Sequence, residues 1–165
     1  MGSLVEDITT IAKKNLSDDG YLCPIFFLVK DEMIIAPPIP CNILFDKKLN
    51  AEDAKSFAVF KMGVLARAYK ATRLIMIWDA AMRTMPKDGN YDATDAPLTF
   101  PKSMRTECII VNDINLQSGK DKTCIVPYKG GDGEPVEFLP DEDYKDMPAE
   151  SRFTELALEG YNKEI

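Results

Sequence analysis

The sequence predicts an α+β fold, with a mixed, mainly antiparallel sheet of about five strands and helices packed against it. Three observations lead to this prediction. Residues 51–70 have the apolar periodicity of a helix. The run LIMIW at 74–78 is apolar without alternation, which is typical of a strand covered on both faces. Other short apolar segments are separated by turns containing Gly or Asp, as in antiparallel hairpins.

The first elements are a helix and a hairpin. Ser3 begins the helix with capping-box spacing to Glu6, and an apolar stripe follows that ends before the turn at 17–20. The stripe consists of Leu4, Ile8, Ile11 and Ala12. Residues 21–29 form the next predicted strand, a tight turn follows at 30–32, and residues 33–36 return. Pro24 cannot donate to a ladder, so it indicates a sheet edge or a bulge.

The helix at 51–70 is the centre of the predicted fold. Asn50 suits the N-cap, and Asp53 places negative charge in the first turn. Phe60 and Val64 add apolar surface to the nominally polar side. A helix that is apolar nearly all round is buried on more than one side, so we expect a second layer or a partner chain over these residues.

The second half supplies three further strands, at 107–111, 123–129 and 136–139, and a short final helix. Pro148 fits the first turn of that helix, and Gly160 is expected to close it. Its apolar stripe of Phe153, Leu156 and Ala157 is small, which predicts weak docking on the body or on a partner. We therefore expect one α+β domain at 1–140, followed by an acidic connector and helix at 141–165.

Charge is distributed unevenly along the chain. Residues 1–133 contain 17 basic and 17 acidic residues, so the whole net charge of −7 lies in residues 134–165. A neutral body argues against binding to nucleic acid, which needs a positive surface. No apolar run approaches the length of a membrane span, and no signal-peptide pattern begins the chain. These observations favour a cytoplasmic protein.

Several classes of catalytic and metal chemistry are excluded because the chain has no histidine. This removes serine and cysteine triads that use imidazole, and every zinc site that contains histidine. The four cysteines lack C-x-x-C spacing, so we expect reduced thiols. The sequence indicates no metal site and no cofactor. It favours a protein that is not an enzyme.

Asp79 and Lys61 are the candidate catalytic residues. Asp79 follows the buried strand at 74–78, and the end of a central strand is where open α/β sheets bind ligands. Lys61 projects within the apolar face of the neighbouring helix. It could pair with Asp79, or its stem could lie along apolar surface while the ammonium reaches water.

The candidate interface residues are Phe60, Val64, Tyr91 and Phe100. The last two belong to the segment 84–102, which is unusually long for a loop inside a compact domain. Its aromatic residues suit a lid or a dimerisation arm, and a plain mobile loop is the alternative.

Two resemblances concern the chain's overall plan. Asp31 with Asp46-Lys47-Lys48 faintly resembles the D…D-x-K core of restriction-endonuclease-like nucleases, although Asp31 is expected at a hairpin tip. The order of elements also resembles a group of small uncharacterised bacterial and phage proteins, and this resemblance implies no activity. The matching positions are Asp19-Gly20, Gly63, Leu65, Ala66, Trp78 to Ala81, Pro101, Ser103, Arg105 and Glu107. Such proteins tend to have a glutamate near the tryptophan, where this chain has Asp79.

Three functional hypotheses follow. The leading one is a non-enzymatic protein–protein interaction or oligomeric accessory protein of bacterial or phage type, with a protein partner or self-association. The first alternative is a carboxylate- or metal-dependent hydrolase, or nuclease-like enzyme, centred on Asp79. The second is a phage anti-defence protein whose acidic tail binds a basic partner.

Overall fold

The structure, a computed structural model, describes residues 4–41, 48, 50–83, 105–131, 133–138, 142–143 and 151–163. These residues form helices on both faces of one sheet, which confirms the predicted α+β class. The elements in chain order are α1 (Leu4–Asp19), β1 (Ile25–Lys30), β2 (Met33–Ile34), β3 (Ile39–Pro40), α2 (Ala51–Ala68), β4 (Arg73–Arg83), β5 (Arg105–Asn115), β6 (Asp121–Gly131), β7 (Glu134–Phe138), β8 (Glu142–Asp143) and α3 (Ser151–Tyr161).

The sheet has eight strands rather than the five predicted. Its order is β2-β1-β4-β5-β6-β7, with β3 also paired to β1 and β8 to β6. Strand β2 is the return strand predicted at 33–36, shortened to two residues, and the unpredicted β3 and β8 also have two residues each. Segments as short as β3 and β8 lack a readable alternation, so the sequence does not distinguish them from turns. Every described pairing is antiparallel.

Strand β4 is covered on both faces, as its unbroken apolar run predicts. Leu74, Met76 and Trp78 belong to a core cluster beneath α2 and α3, here called the α2-side core. Ile75 and Ile77 belong to a second cluster beneath α1, here called the α1-side core. The strand does not end before Asp79, because pairing with β5 continues to Arg83. That extension depends on a partner strand distant in sequence, which a local pattern does not contain.

Helix α2 begins as predicted. The side chain of Asn50 accepts a hydrogen bond from the backbone N–H of Asp53 at 2.8 Å. The helix ends at Ala68, two residues earlier than expected, and Lys70 follows with a φ of 58°. The backbone N–H of Ala71 donates to the carbonyl of Ala66, and that of Lys70 donates to the carbonyl of Arg67. This pair of bonds is a Schellman motif, which usually has glycine at the position of Lys70.

Helix α1 buries a different stripe from the one predicted. Ile8, Thr9, Ala12 and Leu16 are buried, whereas Ile11 is exposed. Thr9 is tolerated in the α1-side core because its hydroxyl donates to the backbone carbonyl of Val5 at 2.7 Å. The predicted cap at Ser3 lies outside the described residues.

Helix α3 packs closely on α2, in contrast to the weak docking expected. A Cβ added at Gly63 would overlap the carbonyl oxygen of Ala157, and one added at Gly160 would overlap that of Phe60. Because both glycines lack a side chain, the two backbones meet directly. Gly160 therefore lies inside α3, and does not close it.

The α3 side chains join the same core. Phe153 stacks on Trp78 with ring centroids 4.8 Å apart, and Ala157 is fully buried. The hydroxyl of Thr154 donates to the carboxylate of Asp121 at 2.7 Å. This part of the acidic C-terminal segment is thus integral to the fold, while the boundary at 140–141 stays a prediction. Among the described helices, none is long and apolar enough to cross a membrane.

Candidate functional site

Asp79 lies at the surface on the α1 face of the sheet. It follows Ile75 and Ile77 in the alternation of β4, and it is exposed. The phenol of Tyr128, itself buried in the α1-side core, donates to Oδ1 of Asp79 at 2.8 Å. Burial raises the pKa of Tyr128, and the hydrogen bond to Asp79 raises it further. In the structure, Asp79 therefore accepts a hydrogen bond from Tyr128 at the edge of the α1-side core.

Glu107 lies near this pair. It is opposite Tyr128 in the β5–β6 ladder, and its charge also raises the pKa of Tyr128. Two carboxylates beside a phenol could attract a cation, but metal sites are built from more ligands than this. The described residues contain no group of three or more His, Cys, Asp and Glu side chains that could hold a metal ion.

Lys61 and Asp79 are not brought together. Asp79 lies on the α1 face of the sheet, whereas Lys61 belongs to α2 on the opposite face. The half-buried Lys61 places its ammonium 4.4 Å from the ring centroid of Phe57. This cation–π contact agrees with the interpretation in which the long stem lies along apolar surface.

Phe60 and Val64 lie where α2 meets α3. The carbonyl of Phe60 and the backbone nitrogen of Val64 are the atoms nearest to Gly160. Lys163 places its ammonium 5.4 Å from the ring centroid of Phe60. The backbone of α3 therefore approaches α2 here, while the side chains of Phe60 and Val64 are half-buried. Their role in binding another molecule stays a prediction.

Other predicted positions fall outside the described residues. These are Tyr91 and Phe100 in the long segment, and Asp46 and Lys47 of the nuclease-like pattern. Asp31 is at the tip of the β1–β2 hairpin, as expected. Because Asp46 lies outside the described residues, the nuclease-like pattern stays a prediction.

A surface that sequence reasoning missed lies at one end of the sheet. Met33 is 69% exposed, Ile34 39% and Tyr69 55%, and we call these three residues the hairpin-end patch. Ile34 pairs with Val29 at the end of β1, and the N–H of Thr72, three residues after Tyr69, donates to the carbonyl of Val29. Met33 and Ile34 are consecutive strand residues and project to opposite faces of the sheet, so the three residues share one end of the sheet rather than one face. Exposed apolar side chains at such an end are available to bind another molecule.

The backbone at this end is strained. Asp31 and Glu32 have φ values of 51° and 65°, and Lys70 has one of 58°. The two hairpin residues thus have the signature of a type I′ turn, in which Asn-Gly is the favoured pair. Side chains other than glycine, asparagine or aspartate are rare in this region of φ, and each costs about 1 kcal/mol. Glu32 and Lys70 are therefore the two positions at this end of the sheet where a side chain adopts a costly φ.

An ion-pair network anchors the strained turn to the sheet. The guanidinium of Arg73 makes two hydrogen bonds to Asp113, at 3.0 and 2.7 Å, and a third to Glu32 at 2.8 Å. The hydrogen bond to Asp113 raises the pKa of Arg73, which stays charged. The hairpin tip is therefore held in place while Met33 and Ile34 face solvent. Comparison with protein-family models, curated proteins and solved structures finds no match to this chain.

Proposed function

We propose that this protein is a non-enzymatic interaction protein that associates with a second copy of itself through the hairpin-end patch. The observation that supports this proposal is the exposure of Met33, Ile34 and Tyr69 at one end of the sheet. An interface that buries them recovers roughly 25 cal/mol for each Å² of apolar surface removed from water.

The charges around the patch suit a second copy better than a charged partner. Lys30 and Asp31 are adjacent, exposed and opposite in sign. In a two-fold interface each surface meets itself, so Lys30 of one copy can approach Asp31 of the other. Residues 1–133 carry no net charge, so the bodies of two copies repel each other little.

The proposed contact uses side chains rather than added strands. Edge strand β2 has only two residues, and the opposite edge strand, β7, contains Pro135 between two glutamates of the sequence EPVEF. Short edges, prolines and charges are the devices by which sheets avoid edge-to-edge pairing. Apolar side chains beside such a protected edge can still form an interface.

Light scattering across a range of protein concentrations tests the proposal. The unmodified chain is expected to shift from monomer to dimer as concentration rises. Met33→Glu and Tyr69→Glu each place a charge in the patch and should weaken dimerisation at least tenfold. Tyr21→Glu is the matched control, because Tyr21 is 64% exposed but precedes β1 rather than following it. It should leave dimerisation unchanged.

Two results would contradict the proposal. One is a chain that stays monomeric at every concentration. The other is a dimer that Met33→Glu and Tyr69→Glu leave intact, which would move the interface elsewhere. Phe60→Glu tests a different surface, because the half-buried Phe60 lies beside α3 rather than in the hairpin-end patch.

A further inference from the structure

Cys23 and Cys41 converge on one backbone oxygen where β1 meets β3. The backbone N–H of Cys41 donates to the carbonyl oxygen of Pro24 at 2.8 Å, and the thiol of Cys23 approaches the same oxygen at 3.8 Å. These two distances keep the Cys23 sulfur within about 6.6 Å of the Cys41 nitrogen. The Cys23 thiol therefore lies beside the backbone of Cys41. A disulfide joins residues whose Cα atoms are about 4.4–6.8 Å apart, which is of the order found between residues of neighbouring strands.

The alternation of side chains is broken just before β1. Leu22 and Ile25 both pack in the α1-side core, although regular alternation would send residues three apart to opposite faces. The break falls at Cys23 and Pro24, as expected where proline removes a ladder donor. Cys41 belongs to the α2-side core. Because the alternation is broken, regular pleating does not force Cys23 onto the opposite side of the sheet from Cys41.

The Cys23 thiol affects the ionisation of Cys41. Burial raises the pKa of Cys41 to about 12, the charge of Lys55 opposes the rise, and Cys23 adds to it. This effect of Cys23 agrees with the position of its thiol beside the Cys41 backbone. Cys41 is fully buried and Cys23 is half-buried, so an oxidant in solution reaches Cys23 first.

We propose that Cys23 and Cys41 are a redox pair, which closes a disulfide across the β1–β3 junction when it meets a small-molecule disulfide. The Cys23 thiolate attacks one sulfur of the oxidant, a mixed disulfide forms, and one small thiol leaves. The Cys41 thiolate then attacks the Cys23 sulfur and displaces the second small thiol. The two cysteines lose two electrons, and their two protons end on the two released thiols.

The bond would close a loop that contains the β1–β2 hairpin. Met33 and Ile34 lie within that loop, so oxidation would restrain the segment that carries most of the hairpin-end patch. The redox pair does not depend on dimerisation, because it follows from contacts at the other end of β1. Since the Cys41 thiol must ionise to react, closure is expected to accelerate as pH rises towards 12.

The test uses the full chain, oxidised glutathione and peptide mapping without reduction. Trypsin separates the two cysteines, because cleavage after Lys14, Lys30 and Lys47 leaves them on the adjacent peptides 15–30 and 31–47. The expected product joins these two peptides and disappears on reduction. Closing a loop of this size should also raise Tm by roughly 5–10 °C, reversibly.

Conservative variants identify the order of steps. Cys41→Ser is expected to stop at glutathione attached to Cys23, and Cys23→Ser should leave Cys41 unmodified in the folded protein. Cys108→Ser and Cys124→Ser should still form the cross-link. The proposal is overturned if the folded protein stops at the mixed disulfide at every pH up to 9.5, or if the cross-link joins Cys108 or Cys124 instead.

Discussion

Replacing Gly160 by alanine has two opposing effects on stability: a gain in helix propensity and a steric overlap at the crossing of α2 and α3. In an exposed helix this substitution stabilises by about 1 kcal/mol, because alanine is the better helix former. At Gly160 the new Cβ would lie less than 3.0 Å from the carbonyl oxygen of Phe60, which is a backbone atom. It would also lie 3.1 Å from the backbone nitrogen of Val64. Neither atom can rotate out of the way.

The magnitude follows from how far the helices must separate. Restoring ordinary contact requires a movement of about 1 Å, and a gap of that size loses a quarter to a half of the dispersion energy across it. The side chains that α3 contributes, chiefly Phe153, Leu156 and Ala157, gain roughly 6 kcal/mol from burial in total. A quarter to a half of this is roughly 1.5–3 kcal/mol, and because the overlap with the Phe60 carbonyl is severe we take the upper value, about 3 kcal/mol. After the gain in helix propensity, the net destabilisation is about 2 kcal/mol.

Urea denaturation monitored by tryptophan fluorescence measures this change. Trp78 is the only tryptophan in the chain, and it stacks on Phe153 of α3, so its emission reports on α3 directly. A loss of 2 kcal/mol also lowers Tm by about 4–8 °C. Glu155→Ala is the matched control, since Glu155 is exposed on the same helix and alanine there meets no backbone.

Combining Gly160→Ala with Gly63→Ala gives a second test of the close crossing. Gly63→Ala should destabilise similarly, because its Cβ would overlap the carbonyl oxygen of Ala157. Once one alanine has moved the helices apart, the second should cost less, so the two effects should not add. If Gly160→Ala instead raised the free energy of unfolding by about 1 kcal/mol, the close crossing of α2 and α3 would be refuted.

Three further substitutions test other parts of the fold. Lys70→Gly should raise the free energy of unfolding by about 1 kcal/mol in urea denaturation, because glycine relieves the left-handed φ of 58°, whereas alanine at this position should give no gain. Tyr128 has a raised pKa in the folded protein, so its contribution to stability is fully present below about pH 10, its unfolded pKa, and is lost as pH rises further. Tyr128→Phe removes the hydrogen bond to Asp79 and should flatten the alkaline part of the Tm–pH curve; an unchanged slope would contradict this. Arg73→Lys breaks the two-pronged bond to Asp113 and should cost about 1–2 kcal/mol in the same denaturation assay, since lysine cannot present two coplanar donors. A cost near zero would show that the network contributes little.

The elements that the sequence predicts well are those whose cause is local. The N-cap at Asn50 depends on a side chain and a backbone N–H three residues apart. The buried run at 74–78 needs only its own apolar residues to indicate a strand covered on both faces. In both cases the local pattern and the tertiary surroundings demand the same structure, so the prediction is confirmed.

Positions that depend on a distant partner were predicted less well. Asp79 was expected at a strand end, but β5 extends the pairing of β4 to Arg83, and Tyr128 from β6 provides its hydrogen bond. Gly160 was expected to close a helix, because glycine near the end of an apolar stripe usually does. Only the approach of Phe60, one hundred residues earlier, makes it an interior residue of α3. No short segment of the sequence contains both partners of these contacts, so a local pattern does not predict them.

The same distinction explains why the sequence suggests an interface in the middle of α2, whereas we propose one at the hairpin end. Phe60 and Val64 violate the helical pattern, and the sequence shows the violation without showing that α3 approaches the helix there. Met33 and Tyr69 look ordinary in sequence, since nothing local distinguishes an exposed apolar residue from a buried one. Only the assembled sheet reveals that they share one end with a strained turn. An apolar residue in an unexpected place therefore identifies surface that must be covered, and the three-dimensional structure decides whether the chain itself covers it.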